Sequence, residues 1–172
     1  MPLRTAILGC GGFANTHARN ITSLKEDFEF VAFCDSNESR GRAFSEQYTD
    51  GRAAVFTDHH RLFDQARLDL AVICLPPYGH SAEVEAAAAR GVHLLMEKPI
   101  ALTSEHAWRM VETSEKAGIK TQVGFMFRFG EAVELSFRMP TTLPSSTPTS
   151  RTSPPKRLSL SGIFTWKNCS TC

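Results

Sequence analysis

The chain has 172 residues, which is enough for one domain of ordinary size and a remainder. Its 19 Lys and Arg residues nearly balance its 18 Asp and Glu residues, which argues against a protein that binds nucleic acid or a membrane surface. Five cysteines, an odd number, and the lack of any apolar run near the roughly 20 residues of a membrane helix predict buried free thiols in a cytoplasmic protein.

Short apolar segments alternate with helical patterns along most of the chain, and the first begins close enough to Met1 that we expect no signal peptide. The predicted strands cover residues 5–8, 28–34, 53–56, 69–75, 92–96 and 119–125. The predicted helices cover residues 14–24, 38–48, a short segment with Leu62 and Phe63, 81–90 and 103–117. Such alternation is typical of βαβ units. The sequence therefore predicts an α/β fold, a doubly wound parallel sheet of six strands of the Rossmann type.

The alternating pattern stops near Glu134, which is also the last acidic residue. Residues 141–172 contain seven Thr, seven Ser and four Pro, with no helical or strand period. Such a composition buries too little apolar surface to order the chain. We expect a folded domain over residues 1–134 and a disordered Ser/Thr/Pro-rich tail over residues 135–172.

A glycine-rich segment follows the first predicted strand and opens the first predicted helix. It reads Gly-Cys-Gly-Gly-Phe-Ala and matches the G-x-G-x-x-[GA] pattern of dinucleotide-binding turns. There the first glycine allows a tight turn, the second lets a pyrophosphate approach the backbone, and the small last residue lets the helix pack closely. A plain structural turn and the similar loop of S-adenosylmethionine enzymes are the alternatives. The candidate cofactor-binding residues are Gly9, Gly11, Gly12, Phe13 and Ala14.

Asp35 stands at the end of the second predicted strand, where a carboxylate can accept hydrogen bonds from a ribose diol. A carboxylate there repels a 2′-phosphate, so we expect NAD to be the cofactor in preference to NADP. Arg40 on the following helix could soften that preference, although a solvated surface arginine is its commoner role.

Glu97, Lys98 and Pro99 follow the fifth predicted strand, at the sheet edge where ligands of such folds bind. A lysine at that edge can exchange a proton with a substrate hydroxyl or carbonyl oxygen. The competing interpretation is a surface lysine beside a turn proline.

The order of these motifs resembles the glucose-fructose oxidoreductase, inositol dehydrogenase and rhizopine-catabolism (Gfo/Idh/MocA) family. The resemblance covers about residues 3–133, and the Glu-Lys-Pro element is its most specific part. The motifs that carry it are residues 9–14, Asp35, Pro76-Pro77 with His80, residues 97–99, and the Gly-Phe-Met-Phe-Arg-Phe segment of residues 124–129.

The resemblance implies an NAD(P)-dependent oxidoreductase that acts on a CH–OH group of a sugar or cyclitol. It makes Lys98 the active-site lysine, joined to Pro99 by a cis peptide bond. It implies that Pro76, His80 and Glu97 belong to the cofactor cleft, and that Arg128 lies where the chain leaves the sixth strand. A structural role at a helix start is an equally good interpretation of His80.

This sequence departs from the family beyond the Rossmann domain. Family members continue with a second α/β domain that supplies a catalytic Asp and His, whereas the last histidine here is His106. We therefore expect a dinucleotide-binding chain that is incomplete for catalysis and would take a small polyol or sugar only with such a second domain. A non-catalytic dinucleotide sensor and a truncated product without a function of its own are the alternatives.

Two groups of potential metal ligands carry little weight. Cys169 and Cys172 form a C-x-x-C pair without a second pair beside it. His59 and His60 are adjacent, so on a helix they would point about 100° apart. We expect no metal site.

Overall fold

The computed structural model describes residues 1–126 and Gly130. Its elements in chain order are β1 (Leu3–Leu8), α1 (Ala14–Ser23), β2 (Phe28–Cys34), α2 (Glu38–Thr49), β3 (Ala54–Phe56), α3 (His59–Gln65), β4 (Leu70–Ile73), α4 (Glu83–Ala89), β5 (His93–Met96), α5 (Ser104–Ala117) and β6 (Thr121–Val123). The expectations for residues 135–172, for the domain boundary at residue 134 and for Arg128 concern residues outside this description.

The strands form one sheet in the order β3-β2-β1-β4-β5-β6, and every neighbouring pair is parallel. The six-stranded, doubly wound parallel sheet predicted from the sequence is therefore confirmed. The chain winds outward from β1 to β3, crosses back, and winds outward again from β4 to β6. Because β1 and β4 are neighbours, a crevice opens between their carboxyl ends, where ligands of such folds bind.

Helices cover the sheet in two layers, each with its own apolar core. On one face Ala14, Ala18 and Ile21 of α1 pack with Phe44 of α2 around the fully buried Phe33 of β2. The other core draws on the three later helices, through Leu62 and Phe63 of α3, Val84 and Ala87 of α4, and Met110 of α5. Central strands that are buried on both faces read as continuous apolar runs, as residues 6–8 of β1 and 71–73 of β4 do.

Several element boundaries differ from the sequence prediction by one or more residues, and those of α4 and β6 are examples. The helix predicted from residue 81 begins at Glu83, because the backbone of Ala82 is not helical, with φ −116° and ψ 18°; the Glu83 carboxylate accepts a hydrogen bond from the Ser81 N–H at 2.7 Å. The strand predicted over residues 119–125 shortens to Thr121–Val123, because it lies at the sheet edge and pairs only with residues 94–96 of β5.

One ion pair ties the amino ends of two central strands together. The backbone N–H and the Nε–H of Arg4 on β1 donate to Asp69 Oδ2 at 2.8 and 2.9 Å, and the Arg4 Nη2 donates to Oδ1 at 2.8 Å. Asp69 immediately precedes β4. The hydrogen bonds from Arg4 lower the pKa of Asp69 to about 2.

This pair predicts a pH-dependent stability that Asp69→Asn removes. The folded-state pKa of Asp69 is about 2, against about 3.9 in an unfolded chain, so its contribution is complete above about pH 4 and is lost as the pH falls through 2. The difference in free energy of unfolding between wild type and Asp69→Asn should therefore shrink between pH 6 and pH 2 in urea titrations.

The matched control is Asp50→Asn, because the Asp50 carboxylate is exposed and lies 3.9 Å from Arg52. Its difference from wild type should vary less with pH. An equal pH dependence in the two variants would contradict the assignment to the Arg4 pair.

Candidate functional site

The turn after β1 leaves no room for a side chain at its first residue. Gly9 has a φ of +90°, and a Cβ there would lie 2.7 Å from the carbonyl oxygen of Cys74 after β4. The Gly9 N–H donates to the carbonyl oxygen of Cys34 at 2.8 Å. Both the positive φ and the close contacts at residue 9 therefore require glycine.

The next two glycines face open space instead. A Cβ on Gly11 or Gly12 would meet no heavy atom of the described residues within 4 Å. Helix α1 begins directly after this turn with Phe13 at its N-cap, no capping side chain and no acidic residue in its first turn. A backbone surface without side chains at an uncapped helix start suits a bound phosphate group.

The other four α-helices begin differently. Helix α2 is capped by Asn37, α3 by Asp58 and α5 by Thr103, each accepting a hydrogen bond from a backbone N–H of the first turn. Helix α4 carries Glu83 and Glu85 in its first turn. Among these five helices, α1 alone presents a start without either a capping side chain or a carboxylate, which leaves its positive dipole end for an anion.

Asp35 lies beside this turn and is 7% exposed. Its Oδ2 accepts a hydrogen bond from Cys10 N–H and its Oδ1 accepts one from Asn37 N–H, each at 2.8 Å. The first of these bonds fixes the glycine-rich turn to the end of β2. An ionised carboxylate has about four acceptor positions, so each oxygen can still accept another hydrogen bond.

Among the described residues three thiols are free: Cys10 lies in the turn itself, Cys34 ends β2 and Cys74 follows β4. The pKa of each is raised to about 12, mainly by burial, and the negative charge of Asp35 contributes to the shifts of Cys10 and Cys34. They act as small apolar side chains here, not as nucleophiles.

The Glu-Lys-Pro element follows β5 at the same edge of the sheet. The Lys98–Pro99 peptide bond is cis, as the resemblance implied, and Lys98 is exposed. Glu97 turns inward, with its Oε1 2.8 Å from Nε2 of His17 on α1. A Cβ on Gly124, after β6, would lie 2.9 Å from that same oxygen, so glycine makes room for the carboxylate.

Sequence reasoning did not single out His17. Its contact with Glu97 spans 80 residues of sequence. The sequence could have pointed to His17 only through its position, since it follows the glycine-rich segment by about one helical turn on a helix that must pack against the sheet.

Pro76 and His80 flank a short 3-10 turn, Pro77–Gly79, after β4. Pro76 is exposed, whereas the His80 side chain is fully buried, with Nδ1 2.5 Å from Glu83 Oε1. Burial raises the pKa of Glu83, but the hydrogen bonds from His80 and from Ser81 N–H outweigh it, so its pKa is below the ordinary value. His80 Nε2 is buried without a partner among residues 1–126. The structure thus anchors His80 to α4.

The described residues hold no group of three or more His, Cys, Asp or Glu side chains arranged for a metal ion. Nor does any helix among them have the length and apolar character to cross a membrane.

A family model described as an oxidoreductase family with an NAD-binding Rossmann fold matches residues 3–125. The D-glucoside 3-dehydrogenase of Escherichia coli (strain K12) is 34% identical over 128 residues, which are 74% of this chain and 36% of that protein. The inositol 2-dehydrogenase of Paracoccus denitrificans is 34% identical over 130 residues, or 75% of this chain and 38% of the relative.

Solved structures show the same relation. An oxidoreductase from Agrobacterium radiobacter, in complex with NAD+, L-tartaric acid and magnesium, superposes with a TM-score of 0.65 at 32% identity. The match covers 74% of this chain and 36% of that one.

The fold and the edge of the sheet define a dinucleotide-binding domain of the Rossmann type. The chain belongs to the Gfo/Idh/MocA oxidoreductase family and carries its NAD-binding domain. It spans 36% to 38% of the length of the curated relatives named above.

The raised thiol pKa values predict slow alkylation in the folded protein. With a pKa of about 12, roughly one thiol in ten thousand is ionised at pH 8, and only the thiolate reacts. In a variant with Cys169→Ser and Cys172→Ser, iodoacetamide should label Cys10, Cys34 and Cys74 at least about 100-fold more slowly in the native state than in urea. Mass spectrometry follows each site, and native labelling of Cys10 at the unfolded rate would refute this.

Proposed function

We propose that this domain binds NAD across the carboxyl edge of its sheet, and that the whole protein is an oxidoreductase acting on a CH–OH group of a sugar or cyclitol. The observation that carries the proposal is the open space over Gly11 and Gly12 at the uncapped start of α1. A pyrophosphate there accepts hydrogen bonds from backbone N–H groups and meets the positive end of the helix dipole.

Asp35 is the proposed partner of the adenosine ribose. Its position at the end of β2 is the one from which a carboxylate reaches the 2′- and 3′-hydroxyl groups in such folds. The hydrogen bonds from Cys10 and Asn37 hold it in place while leaving acceptor positions on both oxygens. A 2′-phosphate would bring two negative groups together, which supports NAD as the preferred cofactor.

Lys98 is the proposed active-site residue. Its exposed amine stands after β5, at the same sheet edge as the glycine-rich turn. When bound, NAD supplies the acceptor for the hydride of an alcohol carbon. Lys98 would orient the substrate hydroxyl and take part in moving its proton. The exposed Pro76 and the anchored His80 remain proposed walls of the cofactor cleft.

The substrate class rests on the relatives, which are named as dehydrogenases of glucosides and inositol. The free thiols of Cys10, Cys34 and Cys74 favour a reducing compartment, and we propose the cytoplasm.

Gly11→Val is expected to remove NAD binding without unfolding the domain. A side chain at residue 11 enters open space in the free protein, so stability should change by less than about 1 kcal/mol, yet it occupies the place of the pyrophosphate. Calorimetric titration should show at least a tenfold weaker affinity for NAD.

The matched control is Gly91→Val, far from the turn in sequence. Its Cβ also meets open space, but its φ is +69°, so this variant should lose stability and retain NAD affinity. If Gly11→Val bound NAD as wild type does, the pyrophosphate site would lie elsewhere.

Asp35→Asn is expected to erode the preference for NAD. Wild type should bind NAD more tightly than NADP. The dissociation constant for NADP divided by that for NAD should fall by about tenfold when the charge is removed. The ratio is informative even if the amide, which cannot accept from both Cys10 and Asn37 equally well, destabilises the turn.

Glu38→Gln is the control for that experiment, since it neutralises an exposed carboxylate on α2 that pairs with Arg42. Its ratio should match wild type. A wild-type protein that binds NADP as well as NAD would overturn the assigned role of Asp35.

A further inference from the structure

His17 and Glu97 join two segments that the proposed function uses for different purposes. His17 lies one turn into α1, the helix whose start faces the proposed pyrophosphate. Glu97 lies at the end of β5, immediately before the proposed active-site lysine. Their side chains are 19% and 11% exposed, and His17 Nε2 is 2.8 Å from Glu97 Oε1. Because a carboxylate only accepts, the ring nitrogen carries the hydrogen and donates it.

The surroundings of this pair constrain it from three sides. The ring of Phe13, at the N-cap of α1, meets the His17 ring edge-on with centroids 5.7 Å apart. Gly124 leaves the space that Glu97 fills, since a Cβ there would lie 2.9 Å from Oε1. The other oxygen of Glu97 lies 3.3 Å from the Lys98 N–H, which donates to it. The start of α1, the end of β5 and the end of β6 therefore meet at one carboxylate.

We propose that His17 and Glu97 are positioning residues that hold the Lys98 turn at a fixed place relative to the phosphate-binding start of α1. A dinucleotide spans that distance, with its pyrophosphate at α1 and its nicotinamide half towards Lys98. The His17–Glu97 pair therefore determines whether the protein can contact the pyrophosphate and the nicotinamide half of the dinucleotide at the same time. This role rests on the proposed function, and it assigns to His17 a part in cofactor binding through contacts that it makes only with protein.

A purely structural role would have a different signature. If the pair only stabilised α1, its loss would weaken every ligand of the glycine-rich turn alike. If it positions the Lys98 turn, its loss weakens ligands that extend to that turn and spares those that do not. ADP carries the pyrophosphate without the nicotinamide half, so comparing ADP with NAD separates the two roles.

The test uses the full chain and three variants. His17→Leu removes the donor at similar volume. His17→Gln keeps an N–H donor near the position of Nε2. Thr16→Leu, at the exposed neighbouring residue of α1, is the matched control. Calorimetry should show NAD affinity about tenfold weaker in His17→Leu and ADP affinity changed by less than twofold. His17→Gln should recover NAD affinity to within about twofold of wild type.

Hydrogen exchange in the absence of nucleotide gives an independent measurement. The peptide that contains Lys98 should exchange at least about threefold faster in His17→Leu and return to the wild-type rate in His17→Gln, while the β4 peptide stays unchanged. Thr16→Leu should alter neither peptide.

A parallel loss of ADP and NAD affinity in His17→Leu would overturn the positioning role, as would unchanged NAD affinity or unchanged exchange at Lys98. If wild type bound neither nucleotide, the proposed function would fail instead. The exchange result would then still decide whether His17 holds the Lys98 turn.

Discussion

The backbone after β1 passes between the ends of β2 and β4 at a distance that excludes any side chain. A Cβ on Gly9 would lie 2.7 Å from the Cys74 carbonyl oxygen, while the Gly9 N–H donates to the Cys34 carbonyl oxygen. This close approach sets the direction in which the chain leaves the sheet, and with it the position of α1. That one contact places Gly11, Gly12 and the uncapped start of α1 at the crevice.

Carboxylates complete the edge, and each is held by donors from a different element. Asp35 accepts from Cys10 N–H and Asn37 N–H, which ties the glycine-rich turn to the end of β2. Glu97 accepts from His17, which ties α1 to the end of β5. Asp69 pairs with Arg4 at the opposite, amino end of the strands, where the ion pair ties β1 to the start of β4.

The family relation gives this geometry its chemical meaning. A chain that matches an NAD-binding Rossmann fold over residues 3–125 carries the cofactor half of an oxidoreductase. The thiols of Cys10, Cys34 and Cys74, whose pKa values are raised to about 12, are small, unreactive groups at the glycine-rich turn. In the proposed function, Lys98, which a cis peptide bond joins to Pro99, is the residue that meets the cofactor and the alcohol.

The sequence by itself determined the six strands, the helices between them and the glycine-rich turn, because local apolar periodicity and glycine positions report burial and backbone conformation directly. It also pointed to Asp35 and Lys98, since both follow a strand at the edge where ligands bind. Only the tertiary structure joined His17 to Glu97, 80 residues away, and buried His80 against Glu83. Which distant side chains meet depends on strand order and on how each helix is rotated against the sheet. Those quantities follow from packing the whole core, not from any local pattern.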